Sequence, residues 1–127
     1  MRRIGFFAQL RHGRPDGPDL AAEAERAELA PERRQAVATY LRECPVVAAT
    51  SERAGDALDA AKTDVSGINI HTDGEFVWPE DLAYYAETYG VGVPDEIVER
   101  AERGGVPVLD DEQMGAVMTW MLSQMTA

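Results

Sequence analysis

Hydrophobic positions recur along the chain with two periods, and the two periods separate helices from strands. Val37, Tyr40, Leu41 and Cys44 share one helical face. Pro31 suits the first turn of that helix, and Pro45 ends it, because the residue before a proline leaves the helical region. A second stripe runs Trp78, Leu82, Tyr85 and Tyr89 at spacings of 4, 3 and 4. Pro79, Glu80 and Asp81 open its helix, with carboxylates placed where the helix dipole favours them, and Gly90 and Gly92 stop it. Residues 94–103 predict a short helix carrying Ile97, Val98 and Ala101, closed by Gly104-Gly105. Asp110 and Gln113 form a capping box for a last helix. Its buried face is expected to be Met114, Val117, Met118, Met121, Leu122 and Met125. Residues 19–29 and 51–62 are weaker helices; Thr50 or Ser51 caps the second and Gly55 interrupts it.

Period two governs the middle of the chain. Residues 46–50 read as a short buried strand. Residues 67–71 alternate, with Ile68 and Ile70 on one side and Asn69 and His71 on the other. Asp73-Gly74 is the main hairpin signal, and residues 76–78 return from it. Near the N-terminus, Ile4, Phe7 and Leu10 form a helical stripe or, with Phe6, a strand; residues 12–18 are turn chemistry. The sum is an α+β fold in a single compact domain, residues 1–127. About five helices pack with a small two- or three-stranded antiparallel sheet. Val47, Ile68, Ile70, Leu82, Tyr85, Val117 and Met121 are expected in its core.

Composition narrows the function. With 127 residues, 45% of them hydrophobic, the chain builds a core without staples. Cys44 is the only cysteine, which excludes a disulfide framework and suits a reducing cytoplasm. No apolar run approaches the roughly 20 residues of a membrane span. Net charge is −11. Residues 1–14 hold four arginines and no acid, so the remainder nets −15. Such a body repels phosphate backbones, which argues against direct nucleic-acid binding, and attracts a basic protein.

Candidate chemistry is sparse. His71, Asp73 and Glu75 gather around the hairpin turn, where a histidine with carboxylates can run acid–base chemistry. His12 is the other histidine. Arg11-His12-Gly13 resembles the strand-end motif of histidine phosphatases, but the larger α/β frame and further phosphate-binding arginines of that family have no counterpart, so the tripeptide reads as a polar turn. No spacing marks a metal site, no cofactor is implied, and no full catalytic set is present. The aromatics are more telling. Leu82, Tyr85 and Tyr89 face inward, so Tyr84 points about 100° away and joins Glu80 and Glu87 on an outer face. Trp120 sits off the methionine face of the last helix. Glu80, Tyr84, Glu87 and Trp120 are therefore the expected interface residues.

Residues 72–85 (TDGEFVWPEDLAYY) and 4–13 (IGFFAQLRHG) carry one further signal. They resemble a group of small actinobacterial proteins that join a T-D-G-x-x-x-W-P-x-x-L-A-Y-Y block to an I-G-[FY]-F-x-x-L-R-H-G start. The two blocks span about a fifth of the chain. The resemblance implies one compact domain and carries no catalytic residues with it. Three functions follow from these readings. The first is a non-enzymatic binding protein, most concretely an inhibitor of the immunity-protein or antitoxin kind. The second is a small enzyme using His12 or His71 with carboxylates. The third is a regulatory or structural partner subunit.

Overall fold

A computed structural model describes residues 1–126, with side chains through Gln124. The elements follow in the order β1 (Arg2–Arg3), α1 (Leu20–Arg26), α2 (Pro31–Glu43), β2 (Val46–Ala48), β3 (Arg53–Ala54), β4 (Ser66–Gly67), β5 (Ile70–Thr72), β6 (Phe76–Pro79), α3 (Asp81–Tyr89), α4 (Asp95–Arg103) and α5 (Asp111–Thr126). The α+β class and the five helices agree with the sequence reading. The sheet differs from it. Four strands lie in the order β1-β6-β5-β2, and β1 runs parallel to β6. Arg2 and Arg3 belong to the arginine-rich first 14 residues and are not expected as a strand, yet their stretch of backbone pairs with β6: Arg2 N–H donates to Glu75 O and Ile4 N–H to Val77 O. A strand of two arginines has no hydrophobic period, so only the open edge of β6 makes it one.

β6 organises the core, because successive side chains of a strand point to opposite faces. Phe76 and Trp78 join the main cluster with residues of α2, α3 and α4. Val77 faces the other way, onto Val47 and Val117 of α5. The domain is thus helices, sheet, helix in three layers. The hairpin between β5 and β6 pairs Thr72 with Val77. Its turn needs Gly74, whose φ is +95°.

Three expectations are corrected. Residues 51–62 are not a helix. The side chains of Asp56 and Asp59 bind the backbone N–H groups two residues on, at Leu58 and Ala61, and so compete with helical hydrogen bonds. Gly55 also lies too close to the Lys62 carbonyl for any side chain. Residues 67–71 are not one strand: Gly67 ends β4 in a separate two-stranded sheet with β3, and β5 begins at Ile70. The break falls at Asn69, whose side-chain carbonyl accepts from Thr50 N–H and whose backbone carbonyl accepts from Glu80 N–H.

Finally, α5 buries only Val117 fully among the described residues. Met114 and Met121 are half-buried and Met118 and Leu122 are exposed; the side chain of Met125 lies outside the described residues. The reason is length. A helix of 16 residues is roughly 24 Å long, while strands of three or four residues span roughly 10–13 Å.

Candidate functional site

Both histidines end on the two consecutive acids at the start of α3. β6 runs directly into this helix, so Glu80 and Asp81 leave the sheet side by side and diverge. The imidazole Nδ1–H of His71 donates to the Cys44 carbonyl at 2.8 Å, and its Nε2 lies 3.1 Å from Glu80 Oε1. Both ring nitrogens therefore face oxygens. His12 reaches α3 from the tight turns after Phe7, where Leu10 N–H donates to Phe7 O and Gly13 N–H to Leu10 O. Its Nε2 lies 2.8 Å from Asp81 Oδ2, and the Asp81 side chain is 0% exposed. The contact is ionic in distance but out of hydrogen-bond alignment. None of the four polar atoms of the pair has a hydrogen-bond partner among the described residues. This pair fastens the N-terminal segment to α3.

The hairpin turn forms a second cluster at a cleft of about 510 Å³. Asp73 Oδ1 accepts from Glu75 N–H and Phe76 N–H. Its Oδ2 accepts from Tyr40 Oη–H at 2.9 Å and Arg100 Nη1–H at 2.7 Å. Arg100 also donates to Glu75, and the two carboxylates hold its guanidinium well above the usual range. Asp73 and Glu75 thus come together as expected from sequence, but His71 is occupied elsewhere. Arg100 is the member the sequence reading missed; its signal was a cation on an acid-rich helix. Burial pushes the Cys44 thiol up to about 12, so it packs as a small apolar side chain. With every acceptor of Asp73 engaged, the cluster is suited to clamping the turn onto α2 and α4.

The expected interface residues do not form an open surface. Glu80 turns to His71. Glu87 is exposed and pairs with Arg42 at 3.1 Å. Trp120 is half-buried beside the α5 cluster, with the Arg3 guanidinium 6.0 Å from its ring centre. Tyr84 is half-buried too: its hydroxyl donates to Asp56 Oδ2 at 2.7 Å, and burial followed by that bond pushes it up to about 12. Tyr89 donates to the same oxygen. Asp56 is the keystone the sequence reading missed. The legible signal was Gly55-Asp56 followed by Asp59, a turn pattern inside an alanine-rich segment.

This arrangement predicts an acid sensitivity. Burial raises the Asp56 carboxyl, but the hydrogen bonds from Tyr89 and Tyr84 outweigh it and the net direction is down. A carboxyl lowered in the folded state contributes stability above its unfolded pKa of about 3.9, and that stability is lost as pH falls through the folded value. In urea titrations from pH 6 down to pH 2, Asp56→Asn should therefore lose less stability than the unaltered chain. Parallel pH profiles for the two would show that Asp56 is not held in its charged form.

Among the described residues, no group of three or more His, Cys, Asp or Glu side chains is placed to hold a metal ion. No described helix is long and apolar enough to cross a membrane. Comparison with protein-family models, curated proteins and solved structures finds no match to this chain.

Proposed function

We propose that this chain is a small acidic binding protein, acting in the cytoplasm as an inhibitor of a basic protein partner in the manner of immunity proteins and antitoxins. The supporting observation is the state of its charges. Among the described residues, every basic side chain except Arg3, Arg34 and Arg103 lies within ion-pair distance of a carboxylate. The fold therefore pairs most of its cations and leaves an acid surplus on the surface. Glu25, Glu32, Glu43, Asp95, Glu99 and Glu112 are all exposed. Such a surface complements a cationic cleft and speeds encounter with it. Both histidines are committed to internal carboxylates, which suits a binding role better than a catalytic one.

The test is the salt dependence of association with the partner recovered from the native cell by crosslinking. The rate constant should fall at least about tenfold between 0.01 M and 1 M salt, as the Debye length shrinks from about 30 Å to about 3 Å. A rate indifferent to salt removes the electrostatic reading.

A further inference from the structure

We infer that the outward face of α5 is the docking surface for an amphipathic basic segment of a protein partner, which rests on the binding reading above. Met114, Val117, Trp120 and Met121 turn toward the sheet. Asp111, Gly115, Met118 and Leu122 recur at spacings of 4, 3 and 4 and so line a second stripe, turned about 120° from the first. Met118 is 40% exposed and Leu122 55%. Methionine is the apolar side chain best able to repack against a partner of irregular shape.

Gly115 is the independent observation. Glycine in a helix interior is unfavourable relative to alanine. Nothing inside the fold requires it here: φ is not positive, and a Cβ at this position would meet nothing within 4 Å. The residue costs stability without serving packing, a turn or a close internal approach. On the exposed stripe it leaves a notch between Asp111 and Met118, where a partner backbone or side chain can come close to the helix.

Charge selects the occupant. α5 carries no lysine or arginine, and Asp110, Asp111 and Glu112 stand at its N-terminal end. The chain as a whole carries −11, which opposes a second copy and favours a cationic segment. The surface fits a helix with apolar anchors at i, i+3/i+4 and i+7, rimmed by lysine or arginine. The acids at one end of the stripe set its direction.

The experiment uses the full chain and three synthetic peptides of about five helical turns. One is an amphipathic leucine–lysine peptide, one is its scrambled isomer, and one is the leucine–glutamate analogue. Calorimetric titration should show the amphipathic cationic peptide binding at least about tenfold tighter than either control. Met118→Asp should weaken it by about tenfold or more, although the substitution adds negative charge. Gly115→Ala should raise the melting temperature by a few degrees while weakening the peptide, because the methyl group aids the helix and fills the notch. Equal binding of the amphipathic and scrambled peptides would overturn the docking site while leaving the charge-based function standing. Wild-type affinity in Met118→Asp would overturn it as well. A dimer seen in sedimentation and abolished by Met118→Asp would assign the face to a second copy instead. Absence of binding by all three peptides would also reject the site, and the function would then be judged by the salt dependence of its native partner alone.

Discussion

Replacing His12 by alanine is expected to lower the unfolding free energy by about 3–5 kcal/mol, the cost of leaving a buried charge without its partner. Asp81 is the reason. Its side chain is fully buried, its oxygens have no hydrogen-bond partner among the described residues, and His12 Nε2 stands 2.8 Å from Oδ2. The dipole of α3 offsets part of the loss, since Asp81 is the first residue of that helix. The double replacement His12→Leu with Asp81→Leu is expected to be near neutral, because it removes both desolvated groups. Urea unfolding of the two variants separates the cases. A His12→Ala variant within about 1 kcal/mol of the unaltered chain would mean that the pair does not hold the N-terminal segment in place. Partner binding by folded His12→Ala should persist, since His12 acts inside the fold.

Trp78→Ala should be comparably severe, at about 3–5 kcal/mol. Its side chain is fully buried at the centre of the larger cluster. The indole N–H donates to the Leu41 carbonyl at 3.0 Å, and the ring stacks on Tyr40 with centres 6.3 Å apart. Trp78 packs in the cluster built with α2, α3 and α4 and is bound to two residues of α2, so a cavity there cannot collapse without moving α2. Met121→Ala provides the contrast. Met121 is only half-buried on α5 and should cost about 1 kcal/mol. Thermal unfolding of the two variants tests the order; equal losses would show that α5 is packed as tightly as the helices on the other face.

Glu80, Tyr84 and Glu87 mark the limit of face arguments made from one helix. Their spacing does place them on neighbouring positions of α3. Spacing cannot show what stands opposite. The segment 51–62 folds back over α3, and Asp56 takes the Tyr84 hydroxyl out of solvent. His71 takes up Glu80, and Arg42 pairs with Glu87, which stays exposed. A surface tyrosine and a tyrosine that clamps a loop have the same local pattern.

The features that sequence alone determined are those settled within a few residues of chain. Pro31 and Pro45 bound α2, Gly90 closes α3 in a left-handed conformation, Gly74 allows the hairpin turn, and Asp110 and Gln113 exchange capping bonds at α5. Each rests on a local steric or hydrogen-bonding constraint that holds in any surrounding. Tertiary structure decided the rest. Arg2 and Arg3 are a strand only because β6 has a free edge. Residues 51–62 are a loop because Asp56 finds two tyrosine hydroxyls from α3. The two histidines are internal because consecutive acids at one helix start diverge to meet them. The last helix keeps an exposed apolar stripe because the sheet covers only the side on which Met114, Val117 and Met121 lie. In each case the deciding partner lies far along the chain, and its position depends on packing that no local pattern encodes.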